Sequence, residues 1–354
     1  MSNVLAFPAR RPVDRSRNLA ALLQGVAGER RALDDVFWLK ECAEALSILA
    51  AMDEVLDAGQ LAAFEAFYAA VEERLRFYPQ YYRFFLSMVL DLEDLGMGGA
   101  KGQALCEWVV AEGLAEAELS DLQRAEARRL LSRRGAAAPV SEGALGDRLR
   151  RFAERPETFA LPNRKAAYEL THIVFYLSDY GRCDPGLGPA AVQSLTFTGL
   201  VAYLDQNHDL LAEICTALRF AGVTPSAIWT EAVATAHRAI LPMAAAERCR
   251  EQDGYHAFMV TGWAEAVAGG RSFEADIPEG YLVFRDRWQG RSALRPLSEC
   301  LLEIGAARSA EWAGMRGRVV PFLDEGARGV LERAEASTGD FEAFFSRFAR
   351  AAAG

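Results

Sequence analysis

The sequence predicts an all-α fold of stacked antiparallel helical hairpins in two related halves, like an α/α-toroid or a solenoid. Three observations lead there. Apolar residues recur at helical spacings along nearly the whole chain. Glycine- and proline-bearing stretches interrupt that period at intervals. Two segments that begin at Ser87 and His172 also resemble one another.

Taken in order, residues 1–30 read as a loose arm running into a first helix. From "DDVFWLKECAEALSILAAM" the helical period is established, with Cys42, Leu46 and Leu49 spaced by four and three. "QLAAFEAFYAAVEERLRF" and "QYYRFFLSMVLDLEDLG" continue it until Gly96, Gly98 and Gly99 stop it. The Ala/Pro/Gly/Ser composition of residues 136–146 suits a connector between an N-terminal half, 31–135, and a C-terminal half, 147–350. The halves align through "SMVLDLEDLG" and "HIVFYLSDYG", which share Val, Leu, Asp and Gly. With one gap they align again through "SDLQRAEARRLLSRRG" and "HDLLAEICTALRFAG". A helix cannot bury its apolar stripe alone, so such units are expected to stack as hairpins. One segment departs from the pattern. Two alternating apolar runs around Pro-Glu-Gly make residues 271–288 a β-hairpin or an ordered loop.

Composition narrows the function classes. Of 354 residues 51% are apolar, enough for a continuous core. The net charge of −10 argues against nucleic acid, which needs clustered cations. The six cysteines lack metal or redox spacing and read as reduced, mostly buried thiols. No secretory leader pattern and no bilayer-length apolar run is found, so no membrane partner and a cytoplasmic location are expected. "GMGGAKG" is glycine-rich but lacks the ending of a phosphate loop. Nucleophile-elbow, zinc-protease, dinucleotide and di-iron motifs are missing too.

The candidate site residues lie on aromatic helices. In "YELTHIVFYLSDYGR", Tyr168, His172, Phe175 and Asp179 fall on one stripe if the helix is continuous. His172 and Asp179 could then serve as catalytic groups in a pocket lined by Tyr168, Phe175 and Tyr176. The plainer alternative makes Asp179 a helix-end residue and His172 a satisfied core histidine. In "YLDQNHDLLAE", Asp205, His208 and Asp209 are candidate metal ligands, with Glu213 four residues beyond. Asn207 or Asp209 capping a new helix explains the same residues. His256 is a third catalytic candidate and Trp263, seven residues on, a ligand-binding one; close helix packing at Gly262 is the alternative. Arg287 and Arg291, beside Trp288, could hold an anionic ligand or an acidic partner segment. Pairing with the protein's own carboxylates is the reading preferred for them. All four histidines lie between residues 172 and 256.

Through "ELTHIVFYLSDYGR" and the "DLLAE" signature the chain resembles an uncharacterised alphaproteobacterial family with no associated activity. The hairpin pattern is similar to helical toroids and solenoids in general, and that likeness fixes no function. The expectation is therefore a helical-repeat binding protein that holds a peptide, partner protein or small ligand on a concave or central face. The alternative is an enzyme whose central pocket uses the His and Asp residues in acid–base or metal-assisted chemistry. No cofactor is specified by the sequence.

Overall fold

The computed structural model describes residues 15–33, 35–136, 142–270, 272–273 and 275–351. They are mostly helical. The N-terminal part runs through α1 (Arg15–Gln24), α2 (Val36–Ala51), α3 (Ala58–Leu61), α4 (Glu65–Phe77), α5 (Tyr82–Asp94), α6 (Lys101–Ala111) and α7 (Asp121–Ser132). Next come α8 (Glu142–Ala153), α9 (Pro156–Phe159), α10 (Arg164–Leu177), α11 (Pro189–Asp205), α12 (His208–Phe220) and α13 (Ala227–Ala239). Strand β1 (Ile240–Ala245), α14 (Tyr255–Val267) and strand β2 (Tyr281–Asp286) follow, then α15 (Leu294–Ile304), α16 (Trp312–Val319), α17 (Glu325–Ala336) and α18 (Phe341–Phe348).

Local chemistry sets these boundaries. Asp35, Ser120, Asn163 and Asn207 each accept a hydrogen bond from a backbone N–H in the first turn of α2, α7, α10 and α12. Such caps satisfy donors that a helix start otherwise leaves open. Between α11 and α12 the chain reverses at Gln206, held left-handed at φ 56°. One apolar core then extends from Leu19 on α1 to Phe348 on α18. Within it α2 packs on α5 and α14, and α12 packs on α10, α11, α13 and α14. Helices α2, α10, α12 and α14 are thus brought together from distant parts of the chain.

Three expectations need correction. Residues 1–14 lie outside the described residues, but the rest of the segment read as a loose arm is α1 and a π-turn over Gly25–Glu29. Leu19, Leu22, Leu23 and Val26 there are buried, because α1 closes one side of the core. Secondly, residues 271–288 do not form a local hairpin. Strand β2 pairs antiparallel with β1, Ile240 opposite Asp286 and Ala245 opposite Tyr281, with α14 between them in sequence. The stretch before β2 instead buries Phe273 and Ile277 and is tied to α1, where Asn18 Nδ2 donates to the Ala275 carbonyl at 2.8 Å. Lastly, residues 137–141 of the connector lie outside the described residues, and α8 already begins at Glu142. No described helix is long and apolar enough to cross a membrane.

Candidate functional site

A polar group where these helices meet centres on His256, near the start of α14. Its Nδ1 lies 2.5 Å from Glu44 Oε1 on α2. Its Nε2 faces two carboxylates of α12, Glu213 Oε1 at 3.6 Å and Asp209 Oδ2 at 3.7 Å. Helix α10 completes the group. Tyr168 Oη donates to Asp209 Oδ2 at 2.8 Å and Thr171 Oγ1 donates to Glu213 Oε2 at 2.6 Å. His172 Nδ1 lies 2.6 Å from the Tyr168 carbonyl. A carbonyl only accepts, so Nδ1 carries the proton in the neutral ring and Nε2 is left with the lone pair.

Helical spacing explains the convergence. Tyr168, Thr171 and His172 stand at i, i+3 and i+4 of α10, and Asp209 and Glu213 at i and i+4 of α12, so each set shares one face. Asn207 fixes the register of α12, because its side chain accepts from Leu210 N at 3.2 Å. Glu213 is almost wholly buried, whereas the His256 side chain keeps 43% of its exposure, so solvent reaches the group from the His256 side.

These surroundings shift the ionisations. Burial opposes charge on His256, but the Glu44, Glu213 and Asp209 carboxylates outweigh it and raise the imidazole to about 10. Burial pushes the Glu213 carboxyl upward, against the nearby His172, His256 and Thr171. Burial and the Asp209 charge hold the Tyr168 phenol protonated. The group thus sets the His256 imidazolium and the His172 ring among three carboxyl groups, with a phenol and a hydroxyl as fixed donors.

The sequence candidates divide sharply. His172, His256, Tyr168 and Asp209 come together here, and Tyr176 stands beside His172 with ring centroids 5.9 Å apart. Asp179 does not join them. Helix α10 ends at Leu177 and the chain turns left-handed at Asp179, φ 46°, so the stripe stops short of it. Its carboxylate pairs with Arg129 at 3.0 Å, as a helix-end residue would. Trp263 is core, buried against Phe175 with centroids 4.9 Å apart, while the buried Phe175 also stands beside His172, centroids 5.8 Å apart.

The metal set Asp205, His208 and Asp209 is not assembled. It assumed one continuous helix, and the reversal at Gln206 sends the three residues to different neighbours. Asp205 meets Arg164 and Ser292, His208 packs edge-on against Trp288 at 4.6 Å, and Asp209 meets Tyr168. Among the described residues no group of three or more His, Cys, Asp or Glu side chains is arranged to hold a metal ion. Arg291 pairs with Asp324 at 3.2 Å, and Arg287 follows β2 as an exposed side chain. Four of the six cysteines are buried, in line with mostly buried thiols; Cys183 is exposed and Cys249 half-buried.

Glu44 was not foreseen as a site residue, and Thr171 went unremarked. A signal existed for Glu44: with Glu41 it is one of two acids at i and i+3 within the apolar face of α2. The glycine-rich loop is closed to phosphate by its own fold. Gly102 N donates to Glu93 Oε1 at 2.8 Å and Lys101 N to Tyr68 Oη at 3.2 Å, which occupies donors a phosphate would need.

No curated protein and no solved structure is found to match the chain. A protein family does match, over residues 1–351, which is nearly the whole length. The chain therefore belongs to the family described as a domain of unknown function, DUF6902.

Proposed function

We propose that this protein is a helical binding protein that holds a ligand bearing a cationic group, a small amine or guanidine or a basic peptide side chain, at the His256 face. The observation that carries this reading is the set of three carboxyl groups, Glu44, Asp209 and Glu213, gathered around one imidazolium from helices far apart in sequence. A solvent-reached group with surplus acid attracts positive charge, and Tyr176 beside His172 adds an aromatic wall.

The proposed architecture is two related halves of stacked hairpins. The order α5–α6–α7 and α10–α11–α12 supports it, as do the matching caps Ser120 and Asn207. In that alignment Arg83 stands at the place of Tyr168, and Glu126 at that of Glu213. Arg83 pairs with Glu118 and Glu126, so the first half carries its own guanidinium where the second carries a phenol. The free thiols and the lack of a described membrane-spanning helix support a cytoplasmic location.

Agmatine is a direct probe, titrated against the histidine signals of the intact protein by NMR. The expected result is saturable movement of the His172 and His256 resonances, lost in Asp209→Asn and Glu213→Gln. Unmoved resonances at millimolar agmatine, or binding indifferent to both substitutions, would overturn the reading.

A second reading, acid–base catalysis, is favoured by one observation. His172, held through Nδ1 on the Tyr168 carbonyl, neighbours Glu213, whose carboxyl burial drives toward the protonated form, and an imidazole beside a carboxylic acid suits acid–base work. Turnover of a bound ligand, seen as new NMR signals and abolished in His172→Gln, would favour it. A ligand recovered unchanged would leave binding alone.

A further inference from the structure

We propose a second ligand site, for a small amphipathic carboxylate, in the cleft between the start of α10 and the end of α11. The cleft has a volume of about 300 Å³. That is the small end of the range for small-molecule pockets, with room for about ten heavy atoms at the ~30 Å³ each takes in a liquid. Its lining is largely apolar and includes Phe159, Leu161, Val201, Leu210 and Leu294 of α15. Polar groups gather at the mouth, where Arg164 and Asp205 face each other across 3.4 Å.

The mouth decides the class of head group. Arg164 is 76% exposed and touches Asp205 only at that long distance. An exposed pair of this kind is held weakly. The Asp205 side chain is 32% exposed, so water solvates its carboxylate when Arg164 turns away. The guanidinium can therefore move to a ligand carboxylate and bind it through two parallel N–H donors. Asp205 beside it disfavours a second negative charge, so one carboxylate suits the mouth better than a phosphate or a dicarboxylate. A single unbranched apolar chain of roughly eight carbons then matches the volume of the cleft.

This site is separate from the His256 group. Ala167 and Leu210 line the cleft, while their sequence neighbours Tyr168 and Asp209 turn to His256 on other faces of the same helices.

Octanoate, 1-octanol and octylammonium share the chain and differ in the head, so calorimetric titration of the full chain with all three tests the proposal. Octanoate should bind with 1:1 stoichiometry at least tenfold more tightly than octanol, and octylammonium more weakly still. Arg164→Ala, on an exposed side chain, should bring octanoate down to the level of octanol. Val201→Phe, checked for folding by circular dichroism, should remove binding of both, and His256→Gln should leave octanoate binding unchanged. Octanoate binding that ignores Arg164→Ala would overturn the proposal, as would tightest binding of octylammonium or no binding at millimolar octanoate.

Discussion

At the scale of single residues, His256 shows how a side chain of ordinary type acquires an unusual charge state. Its imidazole would ionise near neutrality in water; here Glu44, Glu213 and Asp209 hold it protonated up to about 10. A raised folded-state pKa stabilises the fold fully below the unfolded value, and this is lost as pH rises through the folded one. Compared with His256→Gln, the wild type should melt roughly 1–2 °C higher at pH 6, taking about 1 kcal/mol and the unfolding entropy typical of a chain this large. The difference should shrink across pH 7–10 and vanish above. Melting curves at three pH values check this, and an equal difference at all three would show that His256 acts by packing alone. Of the residues singled out in the sequence, His172, His256, Tyr168 and Asp209 do lie together in the structure. The expectation failed for Asp179 because helical spacing was extended past the end of α10, where two successive left-handed residues, Asp179 and Tyr180, redirect the chain.

At the scale of elements, helices were legible and the strand pairing was not. Apolar period and capping residues are local, so α2, α5, α10 and α12 could be read from short windows. The run "YLVFRD" shows strand character by itself, but its partner Ile240–Ala245 lies beyond an intervening helix, and no local signal names it. What fastens this ribbon is also non-local. Arg30, fully buried, donates to Glu41 Oε2 at 2.8 Å, to Asp253 Oδ2 at 2.8 Å and to the Leu282 carbonyl at 2.9 Å. It joins the end of the π-turn to α2, to the approach to α14 and to β2. Arg30→Met keeps much of the bulk but leaves Asp253 without its cation in a largely buried place, while Glu41 keeps only Arg31. Loss of one partner from a buried ion pair costs about 3–5 kcal/mol. Urea unfolding should show a loss of that size, whereas a change below about 1 kcal/mol, the range of surface ion pairs, would mean that solvent enters and replaces the guanidinium.

At the scale of the whole molecule, the division into an arm and two halves conflicts with how the N-terminal segment is used. Composition suggested the arm, since residues 1–30 carry several arginines and little obvious period. The structure buries Leu19, Leu22, Leu23 and Val26 in the common core. Helix α2 packs on α14, where Tyr255 Oη donates to the Glu41 carbonyl at 2.7 Å and His256 meets Glu44. A chain that begins at residue 31 would therefore lose more than an appendage. Four large apolar side chains leave the core, each worth about 1.5–3 kcal/mol on full burial, and Arg30 leaves with them. That sum is comparable with the entire stability of ordinary domains, roughly 5–15 kcal/mol. The truncated chain should lack a cooperative thermal transition and bind a hydrophobic dye, and it should also lose ordered histidine signals at the His256 group, because α2 would no longer be held against α14. Retention of a sharp transition close to the full-length melting temperature would show that α1 and the π-turn lie on the core without supporting it, and that the halves meet independently of the segment that precedes them.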